Sequence, residues 1–398
     1  MTTSRSLAAG LLVLGVLGCA TDAATEARPS VEVVDSAGVR VVTLTESSPA
    51  DTLSPVQLWI HGEASPDYLF QRIVSGVFRD DGAAIIVDIA ADEVIRIDPD
   101  GMSHDIIARS GQGPREVRNP RKVVTGEGED VWIEDFSSRK LLRLEGGSIT
   151  TVLTGPDNPT AADRLMPIGV DSAGRIMLTT GGFMPGWEEE WLMGTLVTFE
   201  PGTPSADTVG SFEFAPRVGD PPVFPFREFG VASATSTSFV TARTDIPQIV
   251  WRSPDGAIFQ IARWDAEARY ADDADWASFE ASIRFGSEQM NPGRSDEDYD
   301  AMAERSLANY ELDKTRQVRL FDDIVGGQDG SVWIAPFTAS SNTASAREWT
   351  AVSGEGEWLG VARFPSSIRI LDVTQDAILG VQRDEFDVET VVVFANPF

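Results

Sequence analysis

The groups in this chain best suited to chemistry are arginines that recur at one place in a repeating pattern. Four stand ten or eleven residues before a turn residue that opens a short apolar strand: Arg72 before Gly82, Arg164 before Gly174, Arg227 before Thr237 and Arg319 before Gly330. Arg121 stands eight before Glu129, and Arg369 seven before Asp376. A guanidinium offers a planar fork that grips carboxylate or phosphate with two hydrogen bonds. The chain is otherwise acidic, with 62 Asp and Glu against 32 Lys and Arg and a formal net charge of −30. Guanidinium groups converging on one point would repel one another unless anions or carboxylates sat between them. Two expectations follow. Either the six form a positive site for a small anion or an acidic group of a partner, or each pairs with an Asp or Glu of a neighbouring unit and stitches the fold.

Other reactive residue types are scarce. There is one cysteine, Cys19, and there are two histidines, His61 and His104. An internal disulfide and a Cys/His structural zinc site are therefore excluded. Gly111-Gln-Gly-Pro114 lacks the spacing of a phosphate-cradling loop and no Lys-Ser/Thr follows it, so it reads as a turn. Asp88 and Asp135 each fall six residues after a turn residue. Repeated carboxylates can ring a calcium ion, but the four equivalent positions hold Thr180, Arg243, Pro336 and Gln382. Closing a hairpin through an Asx-turn is the better account of both. No Gly-x-Ser-x-Gly elbow is present. Neither a metal nor a cofactor is expected. Trp187 and Trp191 flank the acidic run Glu188-Glu-Glu190 beside a Gly-rich stretch; they suit a partner or sugar contact, or packing onto a neighbouring unit.

What could position these groups is set by composition. Of the 398 residues, 42% are hydrophobic, ample for a core, and 35 Gly with 23 Pro supply a turn-former about every seventh residue. That density suits many short strands and argues against a helical bundle. The acidic surface repels nucleic acid and anionic lipid head groups, so neither is expected as a general partner.

The N-terminus accounts for the cysteine. Arg5 precedes the uncharged stretch Leu7–Gly18, twelve residues long. A helix needs about 20 to span a bilayer, so the stretch suits the core of an export signal. It ends Val16-Leu17-Gly18-Cys19, which resembles a bacterial lipobox. That resemblance implies cleavage before Cys19 and a lipid on its thiol, with membrane attachment through the acyl chains. Residue 20 is Ala rather than the Asp that retains some lipoproteins in the inner membrane, which favours the outer one. Residues 20–30 are small, polar and aperiodic, a tether between lipid and body.

The body repeats. Short alternating runs follow turns at Gly82, Glu129, Gly174, Thr237, Gly330 and Asp376, at spacings of 47, 45, 63, 93 and 46. The longest spacing contains residues 273–312, where Trp276, Phe279 and Ile283 recur at helical spacing and Ser295 with Asp298 marks a helix start. Removing this insert leaves six units of one period. Each holds four short strands, as in a β-propeller blade. The last unit, Ile368–Phe394, shows only three strand-like runs; the segments Val31–Val34 and Val39–Thr43 are expected to supply the fourth and close the ring.

Arg109-Ser-Gly-Gln-Gly-Pro114, Asn119-Pro120, Glu129–Asp135 and Leu141–Leu144 together resemble one NHL-type repeat. From about residue 31 to 398 the chain is similar to exported bacterial six-bladed propellers of that class. The resemblance implies an all-β six-bladed propeller whose functions range from scaffold and binding module to enzyme. Metal-dependent lactonases of the propeller class hold a divalent cation in the central channel with Glu, Asp and Asn. None of the six asparagines here lies in an inner strand, so that pattern is not met, and a histidine base is equally unsupported. The expectation is a lipid-anchored envelope propeller, domains 1–18 signal, 19–30 tether and 31–398 propeller, acting as a ligand- or protein-binding or scaffold module with an anion site at an Arg-rich channel mouth. The alternative is a channel-site hydrolase or lyase.

Overall fold

A computed structural model describes residues 31–44, 52–62, 68–111, 113, 115–126, 128, 130–145, 148–154, 165–181, 190–203, 205–217, 223–339, 346–365, 368–384 and 388–398. Cys19, Arg164 and Trp187 lie outside them.

Four strands precede the repeats: β1 (Val31–Ser36), β2 (Val39–Leu44), β3 (Thr52–Leu53) and β4 (Gln57–His61). The first blade holds β5 (Ile73–Phe78), β6 (Ala84–Asp88), β7 (Glu93–Ile97) and β8 (His104–Ser110), with the short β9 (Glu116–Val117) on its edge. The second holds β10 (Pro120–Thr125), β11 (Val131–Asp135), β12 (Lys140–Glu145) and β13 (Ser148–Thr154). The third holds β14 (Met166–Val170), β15 (Ile176–Thr179), β16 (Trp191–Phe199) and β17 (Asp207–Pro216). The fourth holds β18 (Gly230–Ala234), β19 (Phe239–Arg243), β20 (Gln248–Arg252) and β21 (Ile258–Trp264). Two helices follow, α1 (Asp273–Met290) and α2 (Asp296–Leu307). The fifth blade holds β22 (Phe321–Gly326), β23 (Val332–Pro336), β24 (Glu348–Val352) and β25 (Trp358–Arg363). The sixth holds β26 (Ile368–Val373), β27 (Ala377–Arg383) and β28 (Glu389–Ala395).

Within each blade the strands are antiparallel neighbours. The innermost strands contact one another in the order β5, β10, β14, β18, β22, β26 and back to β5. The chain is therefore a closed six-bladed β-propeller, as the repeat implies. Dividing the strands among six blades leaves only short edges where a flat sheet of this size would expose long ones.

The strand that completes the sixth blade differs from expectation. It is β4, antiparallel to β28, with Val391 opposite His61 and Val393 opposite Trp59. The hairpin β1–β2 instead extends the fourth blade, β2 running parallel to β21 with Val42 opposite Ala262. Both segments alternate, so alternation could not distinguish them. What decides is position: β4 ends shortly before the first blade begins.

The turn glycines Gly82 and Gly330 sit at φ of 82° and 90°, a region open to glycine at little cost. Three residues after the second and fifth turns, Trp132 and Trp333 are buried at matching positions between blades.

The insert is two helices. Asp272 with Asp275 and Ser295 with Asp298 form reciprocal capping boxes at the starts of α1 and α2. Trp276 and Phe279 pack on Phe224, Phe226, Val318 and Phe337. These partners sit in the connections leading into β18 and β22 and out of β23, not on an outer strand. The insert thus lies on the face where the innermost strands begin. No helix among the described residues is long and apolar enough to cross a membrane.

Candidate functional site

The innermost strands enclose a cavity of about 810 Å³ to which all six blades contribute. Hydrogen bonds between blades fix the common direction of these strands: Val123 N donates to Ser75 Oγ at 3.2 Å, and Gly326 N to Ser233 Oγ at 2.9 Å. Five of the six carry a register shift, between Ile73 and Ser75, Pro120 and Val123, Pro167 and Gly169, Phe321 and Asp323, and Ile370 and Asp372. A bulge bends the strand and re-aims a side chain. Val74, Lys122, Ile168, Asp322 and Leu371, which lie in these bulges, all line the cavity.

The two ends differ in charge. At the end where the strands begin, the lining includes Lys122, Arg347, Arg369, Asp322 and Asp323. At the other it includes Asp80, Asp171 and Asp372. Between the ends the wall is mixed, with apolar Val74, Ile168 and Leu371 beside polar Ser75, Ser233 and Thr235.

Several of these charges are poorly compensated. Arg369 donates from Nη2 to the carbonyl of Ile73 at 2.6 Å, and burial pulls its pKa down, opposed by Glu389. Burial also lowers that of Arg347, opposed by Asp322, and Arg347 Nε is buried with no hydrogen-bond partner among the described residues. Both remain cationic, since a guanidinium starts far above neutrality. Lys122 makes no ion pair among the described residues. Asp323 opens into the cavity; enclosure by protein pushes its carboxyl up, while the Ile324 N–H and the charges of Lys122 and Arg369 pull the other way. Asp322 is already engaged, by Arg319 Nε at 2.7 Å and by Thr338 N at 2.8 Å.

At the far end, burial raises the Asp372 carboxyl to about 7. Its Oδ2 accepts from Phe78 N at 2.8 Å and Gln328 Nε2 at 2.6 Å, which limits the rise.

Of the five described arginines singled out by spacing, only Arg369 lines the cavity. Arg319 is held by Asp322 of its own blade and lies over Phe229 and Phe337. Arg121 stacks on Phe136, its guanidinium carbon 3.7 Å from the ring centre. Arg72 is exposed and Arg227 half-buried ahead of their strands. Register separates Arg72, Arg319 and Arg227 from the other two, and the stack on Phe136 holds Arg121. Relative to the first paired residue of each innermost strand, Arg121 and Arg369 lie one after, Arg72 one before, Arg319 two before and Arg227 three before. Counting back from the turn crosses bulges and hairpins of unequal length. Spacing missed Lys122 and Arg347: one follows Arg121 within a bulge, and the other immediately precedes a third strand.

Asp88 and Asp135 do turn work. Asp88 accepts from Arg72 N at 3.0 Å and Ala90 N at 3.2 Å; Asp135 accepts from Arg118 N at 3.0 Å and Ser138 N at 2.9 Å. Trp191 is half-buried beneath the Arg243 guanidinium. Among the described residues no three His, Cys, Asp or Glu side chains are grouped to hold a metal.

No protein-family model matches the chain, and no curated protein matches it. Similar solved structures include a protein of Bacteroides fragilis, 10% identical over 89% of this chain and 98% of that one, with a TM-score of 0.49. A gluconolactonase of Xanthomonas campestris is 12% identical over 86% of this chain and 95% of its own, with a TM-score of 0.43. Virginiamycin B lyase of Staphylococcus aureus is 12% identical over 80% and 83%, with a TM-score of 0.39. Likeness at this level says nothing of chemistry.

Proposed function

We propose that this chain is an exported, lipid-anchored propeller of the bacterial envelope that binds a small ligand in its central cavity. Cys19 is the attachment point, residues 20–30 the tether, and the outer membrane the favoured location. The cavity carries the reading: all six blades wall one space that is charged at its ends and lined between them by both apolar and polar residues. Copurification tests the reading. Chain purified from its own cells and then denatured should release a small molecule, and the Ala232→Trp chain, whose cavity is filled, should release none. Equal release from both would overturn it. Anchoring is checked separately, because Cys19→Ser should move the folded chain to the soluble fraction.

One observation favours a second reading, a channel-site hydrolase or lyase. Asp372 is a cavity-wall carboxyl that exchanges its proton near pH 7, as a general acid or base requires. Turnover of a lactone panel that Asp372→Asn abolishes without loss of fold would establish it.

A further inference from the structure

We infer that the end of the cavity where the innermost strands begin selects ligands with an oxyanion head, a carboxylate or phosphate, on an apolar body. The inference rests on the cavity being the ligand site and adds the class of ligand.

Lys122, Arg347 and Arg369 reach this one end from three different blades in a chain of net charge −30. Such a chain has cations to spare only where they do something. Among the described residues the three side chains make one hydrogen bond, from Arg369 to Ile73 O. The nearby Asp322 is occupied by Arg319 and Thr338, so it neutralises the trio only in part. Glu389 acts on Arg369 but is engaged by Arg383 and Ile73 N, and enclosure disfavours the charged form of Asp323.

Arg347 is the most telling. It immediately precedes the third strand of the fifth blade, away from the bulges, yet lines the cavity. Among the described residues the one carboxylate acting on it is Asp322, which Arg319 and Thr338 already engage. An oxyanion in the cavity meets its guanidinium fork and also offsets Lys122 and Arg369. Beyond the charges, the partly exposed Val74, Ile168 and Leu371 line the cavity. These side chains offer contact to a hydrocarbon body.

The probes are sodium octanoate, octyl phosphate and 1-octanol, titrated calorimetrically at pH 7 into the full chain and its Arg347→Met and Lys122→Met variants. The two anions should bind at least tenfold more tightly than the alcohol. Each variant should lose about tenfold for the anions, leave octanol unchanged and melt no lower than the parent. If octanol binds as tightly as octanoate, or if a variant weakens alcohol and anions equally, the oxyanion claim is overturned while the cavity reading stands. Should none of the three bind, and filling the cavity with Ala232→Trp change nothing, both fall.

Discussion

His61 and His104, the two histidines of the chain, meet across the seam where the ring closes, Nε2 to Nδ1 at 3.2 Å. His61 ends β4, the N-terminal strand that completes the last blade, and His104 begins β8 of the first. The other nitrogen of His61 hydrogen-bonds the Gly101 carbonyl at 2.8 Å, and its ring lies against Phe70. Closure therefore depends on a buried polar contact as well as on strand pairing. His61→Ala leaves the Gly101 carbonyl without its partner and a void beside Phe70. It should cost about 2–3 kcal/mol in denaturant unfolding. His104→Ala, at the half-buried side, should cost under about 1 kcal/mol.

Asp372 makes stability depend on pH in a stated direction. Its carboxyl rises from 3.8 to about 7 on folding, with burial as the cause. Between those values the folded chain holds a proton that the unfolded chain releases, so stability falls as pH rises through the window. Asp372→Asn keeps an acceptor for Phe78 N and removes the penalty. The variant should exceed the parent by up to about 4 kcal/mol at pH 8 and differ little at pH 4. Parallel denaturation curves at the two pH values decide it; a constant difference would contradict the assignment.

Trp276 anchors the helical insert among Phe224, Phe226 and Phe279, but its indole N–H has no partner among the described residues. Truncation and removal of the N–H should therefore differ sharply. Trp276→Ala should cost about 3 kcal/mol, read as lost hydrogen-exchange protection in α1 and α2, whereas Trp276→Phe should cost under about 1 kcal/mol. Equal losses would mean that the indole nitrogen matters and the packing does not.

Most of the fold was legible because the blade signal is local. Gly82, Gly174 and Gly330 sit at positive φ where the turns were read, and Ser295 caps α2 as its spacing with Asp298 implied. Closure is not local. β1, β2 and β4 carry similar alternation, and only the pairing of β4 with β28 distinguishes them. The charged end of the cavity was half legible for the same reason. Of the described arginines picked out by spacing, Arg369 alone lines it. Lys122 and Arg347 were missed because a bulge and a third-strand start obey no fixed count from that turn.

The most direct test of the account is where a brominated fatty acid sits. Crystals of the chain soaked in 8-bromooctanoate should give an anomalous bromine peak inside the cavity near Ile168 and Leu371, with the carboxylate within hydrogen-bonding distance of Arg347. A peak only on the outer surface, or a carboxylate turned toward Asp80, Asp171 and Asp372, would contradict it.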